Sequence, residues 1–199
     1  MEKLAASPLL LYYERKKEKL YSILKNTKLK EDSMEFIEIS PEAITDNTFK
    51  LIGKDWMLVT AGTETSFNTM TAAWGGLGVL WDKNICFCVI RPTRYTYAFM
   101  EKSENFTLSF FEERYRDTLT YCGKKSGKDV DKIAQTGLTP VFDNGAVYFS
   151  EARLVMVCRM LYTQDIVPGN FLDPGIEKFY PKKDYHRMYV GEISRSLRK

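Results

Sequence analysis

The sequence predicts a mainly β domain, an antiparallel barrel with peripheral helices, preceded by an N-terminal helical extension. Three observations carry this. Seven short segments (WMLVTAG, NTMTAAW, ICFCVI, FTLSFF, AVYFS, ARLVMVCRMLYT and MYVGEIS) are rich in β-branched or aromatic residues and bounded by Gly, Asn, Asp or Pro. Some alternate with period two: Phe106, Leu108 and Phe110 fall on one face, Thr107 and Ser109 on the other. Only two stretches of helical character interrupt the strands, which suits a barrel with helices packed at its rim.

Residues 1–33 form the extension. LLLYYERKKEKLYSILKN carries helix formers and a loose apolar stripe at Tyr13, Leu20 and Leu24. It reads either as a surface-docking helix or as a solvated extension upstream of a natural start at Met34. The small residues of LAASPLLLYY precede its Leu run and ERKK follows directly, so it is not expected to be a secretion signal.

The domain itself is expected over residues 34–199. In SPEAITDNTFKLIG, Ser40 suits an N-cap, Pro41 the first helical position and Glu42 the first turn, where a carboxylate complements the dipole. GGLG at 75–78 fails the G-x-G-x-x-G pattern because Trp81 stands at the third glycine, so a bend or bulge in a barrel strand is expected. Residues 85–90 are apolar on both faces, as in a central strand.

Composition narrows the function classes. The net charge is +3, and all of it comes from residues 1–33, which hold eight Lys/Arg and five Asp/Glu. The neutral remainder lacks the basic excess of a nucleic-acid surface. No apolar run reaches the roughly 18 residues of a membrane span, so no integral membrane contact is expected. Cys86, Cys88, Cys122 and Cys158 with a single histidine, His186, do not make a recognisable metal set. Buried reduced thiols and a cytoplasmic protein are the expectation.

Three clusters can carry chemistry. In RPTRYT, Pro92 ends a strand, Thr93 can cap, and Tyr95 and Thr96 open a helix whose free N–H groups suit an anion, with the Arg94 guanidinium beside them. A surface loop with an incidental arginine fits the same residues. In CGKKSGKD, two glycines flank Lys124, Lys125 and Ser126 at a helix-to-helix junction, which either wraps a phosphate or is simply solvated. His186 reads as a satisfied structural residue or as a group polarising a bound heterocycle, and it is the only candidate for a catalytic role. No G-x-S-x-G elbow is present, so a bound cofactor that brings its own chemistry is the simpler reading.

Taken in order, KLIGKDWMLVTAG, NTMTAAWGGLGVLW, RPTRYTYAFMEKSENFTLSFF, CGKKSGKDVDK and HRMYVGEI resemble the flavin reductase-like, FMN-binding split-barrel family, particularly its flavoredoxin-type branch. The resemblance covers residues 34–199 and implies a split β-barrel. It implies that FMN lies along Asn68, Thr69, Met70, Thr71, Ala72 and Trp74, where small side chains let the ring approach the backbone. Arg94, Tyr95 and Thr96 then match the phosphate-binding helix start, and Cys122, Gly123, Ser126, Gly127 and Lys128 match a second phosphate and ribityl loop. It further implies a homodimer, and hydride transfer from NAD(P)H to flavin with an unknown acceptor. A flavoredoxin-type electron carrier reduced by a redox protein partner is the alternative. Tyr185 and His186 would line the flavin's open face.

Overall fold

The structure is a computed structural model and describes residues 16, 17 and 35–199. Lys16 and Lys17 apart, the expected N-terminal helix lies outside the described residues, as does the expected boundary at residue 33. Residues 36–199 form one compact unit.

Among the described residues there are ten strands, including all seven expected. They are β1 (Ile37–Ile39), β2 (Met57–Thr63), β3 (Ser66–Ala72), β4 (Gly75–Leu80), β5 (Lys83–Ile90), β6 (Asn105–Phe110), β7 (Pro140–Asp143), β8 (Ala146–Phe149), β9 (Leu154–Asp165) and β10 (Arg187–Arg198). The main sheet is antiparallel, in the order β3-β2-β6-β9-β10-β5-β4, with β1 added to β10. β3 and β4 are consecutive in the chain yet stand at opposite ends of this order, so the barrel does not close between them. β10 reaches β1, β5 and β9 along its twelve residues by bending at register shifts near Gly191 and Ser194.

The two faces of the strands explain the core. Met57, Val59, Ala61, Met70, Ala72, Cys86, Cys88, Phe106, Leu108, Phe110, Met156 and Cys158 meet inside the barrel. The alternate positions Leu58, Val155 and Val157 face outward, where they pack on Leu119, Cys122, Tyr148 and Phe149 in a second apolar layer. Thr107 and Ser109 were expected on the face of β6 opposite Phe106, Leu108 and Phe110. They do point outward, yet both are buried, and the Thr107 hydroxyl donates to the Val147 carbonyl of β8 at 2.6 Å. All four cysteines are buried free thiols, with Cys86 and Cys88 on one face of β5 and the Cys86 and Cys158 sulfurs 3.3 Å apart.

Local departures from the sequence reading have physical causes. Ser40 does cap, accepting from the Glu42 N–H, but only a 3-10 turn follows over Pro41–Ala43. The chain restarts at Asn47, which caps α1 (Thr48–Lys50), and α1 runs on as a π-helical turn over Leu51–Asp55. GGLG is not a bend but the body of β4. A Cβ on Gly75 would lie 2.3 Å from the Phe87 carbonyl oxygen, and one on Gly76 would lie 2.4 Å from the Phe87 ring. The β4–β5 hairpin turns through Trp81 and Asp82, both at positive φ, as a two-residue hairpin loop requires.

Three further helices complete the unit: α2 (Tyr95–Met100), α3 (Arg116–Lys124) and α4 (Lys132–Thr136). Among the described residues no helix is long and apolar enough to cross a membrane.

Candidate functional site

β3 is an end strand, paired only with β2, so alternate backbone groups along its other edge are not used by the sheet. The start of α2, the end of α3 and the loop leading to α4 gather along it.

Arg94 occupies the N-cap position of α2 with extended backbone angles; Thr93, expected to cap, stands one residue outside. The Arg94 side chain crosses to α3, where an Nη2 hydrogen donates to the Gly123 carbonyl at 2.6 Å. Burial, together with the Arg91 charge, lowers the guanidinium's hold on its proton, although an arginine stays charged throughout the accessible range. The other arginine of the motif has a different job. Arg91 pairs with Asp184 at 2.6 Å, donates to the Phe179 carbonyl at 2.8 Å and lies over the Tyr180 ring, clamping the segment before β10.

Asn68 joins three pieces of the site. Its Nδ2 donates to the buried Thr96 hydroxyl at 2.7 Å, tying β3 to α2. Its Oδ1 lies against the backbone of Gly127, where a Cβ would come within 1.9 Å. The Gly127 loop is folded around Ser126, whose Oγ accepts from the Lys128 N–H at 3.2 Å and whose carbonyl accepts from the N–H groups of Asp129 and Val130.

A residue that the sequence reading missed stands at the centre. Lys132, first residue of α4, is only 5% exposed, and its Nζ donates to the Thr69 carbonyl on the β3 edge at 2.7 Å and to the Cys122 carbonyl at 2.9 Å. Burial, with the nearby Arg94 charge acting in the same direction, pulls its pKa down to about 8. Among the described residues no carboxylate pairs with either Arg94 or Lys132.

Asn68, Arg94, Thr96, Ser126, Gly127 and Lys132 line one small cavity of about 80 Å³, together with Met70, Tyr95, Lys124 and Lys125. Beside it opens a wider cavity of about 690 Å³, which Asn68, Thr69, Tyr95, Gly127, Lys128 and Lys132 also line. The geometry thus unites most of the expected residues. Four take other roles. Thr71 faces α3, its hydroxyl donating to the Leu119 carbonyl and its Cβ lying close to where a Gly123 side chain would begin, so its small size serves helix packing. The Met70 and Ala72 side chains belong to the barrel core. The Cys122 thiol is buried and pushed up to about 11, and it is the residue's carbonyl that faces Lys132.

Trp74 stands apart from this cradle. Its ring meets His186 at 5.2 Å and Phe179 at 5.6 Å, and it lines a separate, mostly apolar cavity of about 590 Å³ with Phe49 and the bare backbone of Gly75 and Gly76. His186 is buried, its Nδ1 2.9 Å from the Tyr180 hydroxyl. Burial and the Arg91 charge bring its pKa down to about 4, so the imidazole is neutral at pH 7 and fits a structural role. The Tyr185 hydroxyl donates to Glu177 at 2.6 Å.

A family model described as "Flavin reductase like domain" matches residues 49–195. Among solved structures the chain is similar to flavoredoxin from Methanosarcina acetivorans, with 19% identity, 83% of this chain and 76% of that chain covered, and a TM-score of 0.59. It is similar to an FMN-binding domain of a flavin reductases-like enzyme from Shewanella baltica OS155, with 15% identity, coverage of 83% and 78%, and a TM-score of 0.60. Flavoredoxin of Desulfovibrio vulgaris (Miyazaki F) shares 24% identity, coverage of 82% and 77%, and a TM-score of 0.57. A search of curated proteins finds no match. The matched stretch runs from α1 into β10 and takes in the open barrel, the β3 edge, the Arg94 turn and the Ser126 loop, and the chain belongs to the flavin reductase-like domain family.

Proposed function

We propose that this protein is an FMN-dependent oxidoreductase that passes hydride from NAD(P)H to bound flavin and electrons onward to an acceptor. The observation that carries the reading is a charge imbalance. Arg94 and Lys132 line one cavity beside an open strand edge, and among the described residues no carboxylate balances either of them. Cations drawn out of water are costly unless a partner is supplied, and a phosphomonoester supplies one.

The residues present fit FMN. Arg94 and the hydroxyls and N–H groups of Thr96 and Ser126 would hold the phosphate, with Tyr95, Gly123, Gly127 and Lys128 shaping the cradle. The backbone of Asn68 to Ala72 would pair with the polar edge of the ring. FMN, when bound, supplies a two-electron acceptor at its ring, and structural neighbours include a Streptomyces globisporus NADH:FAD oxidoreductase and the styrene monooxygenase flavin reductase of Pseudomonas putida S12. The chain's own part is to bind, orient and shield. Asn68 and Lys132 fix the β3 edge against α2 and α3, so the donors are set before the ligand arrives, and such preorganisation lowers the cost of reaching a reactive geometry. No side chain is assigned as general acid or base, since His186 is neutral and hydrogen-bonded within its own cluster.

Anaerobic titration of the FMN-loaded protein with NADH and then NADPH, followed by loss of the oxidised-flavin absorbance, tests the activity. Bleaching by either is expected. Flavin that stays bound and oxidised would favour a carrier reduced by a redox protein instead.

The reading includes a homodimer. β3 and β4 leave two strand edges without partners in the sheet, and the β4–β5 hairpin exposes Val79, Leu80 and Trp81. A second copy would cover such a surface. Sedimentation should give a dimer, and a monomer at FMN saturation would rule it out.

A further inference from the structure

We propose that Lys132 makes flavin binding proton-linked: its amine is the charge partner of the flavin's phosphomonoester and takes up a proton from solvent when that anion binds. The inference rests on the FMN reading and deepens it, by assigning a positioning residue that the family resemblance did not bring forward.

The geometry of Nζ carries it. An ammonium has three N–H donors and a neutral amine two. Here two protein acceptors are within hydrogen-bond range, the carbonyls of Thr69 and Cys122. The neutral amine therefore satisfies both acceptors, and the third proton has no partner among them. Lys132 lines the same cavity as Arg94, so the anion that neutralises one is positioned to hold the proton on the other.

The surroundings leave this proton undecided. From β3 the amine meets only a backbone carbonyl. From α3 it meets Cys122, whose thiol is neutral at ordinary pH, while Lys124 and Lys125 add positive charge to the cavity wall. From the start of α2 comes Arg94. Asp129 and Asp131 line the wider cavity, but the Asp131 carboxylate accepts from the N–H groups of Ile133 and Ala134 and makes no ion pair with Lys132. Burial and the Arg94 charge already bring the amine down to about 8. A phosphomonoester dianion, whose second pKa lies near 6, changes the sign of the nearest charge and raises it.

Below pH about 8 the amine is charged before and after binding, and affinity does not change on its account. Above that pH, binding must draw a proton from solvent, so the FMN dissociation constant rises by up to tenfold per pH unit, roughly tenfold to thirtyfold between pH 7.5 and 9.5.

The test is a set of FMN fluorescence titrations on the full chain from pH 6.5 to 9.5. The wild type should show this rise. Lys132→Arg, whose guanidinium stays charged, should remove the slope while keeping affinity at pH 9.5, and riboflavin, which lacks the phosphate, should show no slope with the wild type. Calorimetry of the wild type in buffers of different ionisation heat should find close to one proton taken up per FMN at pH 9 and close to none at pH 7, with no variant needed. A flat wild-type profile, a slope that survives in Lys132→Arg, an equal slope with riboflavin, or no proton uptake at pH 9 would each overturn the proposal. If FMN fails to bind at pH 7, the flavin reading itself falls, a different result from tight binding without linkage.

Discussion

Replacing Arg94 with alanine is expected to weaken FMN binding by roughly tenfold to 150-fold, about 1.5–3 kcal/mol, the worth of a charge-assisted hydrogen bond to a partly buried anion. The Arg94 side chain already has one fixed contact, to the Gly123 carbonyl, which uses one of its five donors and aims the remainder at the cavity. Arg94→Lys should lose part of that affinity, because a lysine keeps the charge and gives up the planar fork. Riboflavin should be almost indifferent to both substitutions. The measurement is the quenching of flavin fluorescence at neutral pH, where Lys132 carries its charge in every sample. An Arg94→Ala protein that binds FMN as tightly as the wild type would remove Arg94 from the phosphate site. If FMN and riboflavin lost affinity equally, Arg94 would be acting only through the Gly123 contact that braces α3.

How far this site could be read from the sequence depended on which property each residue expresses. The seven expected strands follow from alternation and β-branched content, and those properties act locally. The three strands that were not expected are too short or too glycine-rich to show them over a recognisable run. β1 has three residues and owes its existence to pairing with the end of β10. β4 is glycine-rich, a composition that argues against a strand until Phe87 of the neighbouring strand is seen to occupy the space of the missing side chains. β7 was recoverable, since Asn144-Gly145 between two apolar runs is a strong hairpin signal, and both residues do have positive φ. Thr71 shows a different limit. Its small size was a correct observation, but only the placement of α3 reveals which neighbour needs the room. Lys132 marks the boundary most clearly, because a lysine is ordinarily a surface residue and nothing local distinguishes this one from the other lysines of the same loop. Its burial comes from β3 and α3 closing over it, and neither adjoins it in sequence.

The other large effect is expected at Gly127. A Cβ there would stand 1.9 Å from Asn68 Oδ1, well inside any real contact, and the loop is held on its other side by the turn around Ser126. The far end of the Asn68 side chain is what can move, and if it swings away the bond from Nδ2 to the Thr96 hydroxyl breaks. Gly127→Ala should therefore act beyond the loop: it frees a buried hydroxyl on α2 and unties β3 from the helix that carries Arg94. A loss of FMN affinity on the order of 2 kcal/mol, about thirtyfold, is expected because the loop and the start of α2 no longer present their phosphate donors together. The freed Thr96 hydroxyl is buried with or without ligand, so the unfolding midpoint should also fall by several degrees, while the barrel core itself stays intact. A double-mutant cycle separates this account from simple crowding of the ligand. In an Asn68→Ala background the atom that the new methyl meets is gone, so Gly127→Ala should cost little more than Asn68→Ala alone. If the two losses simply add, the methyl is blocking the flavin directly, and Asn68 is not the link between the loop and α2.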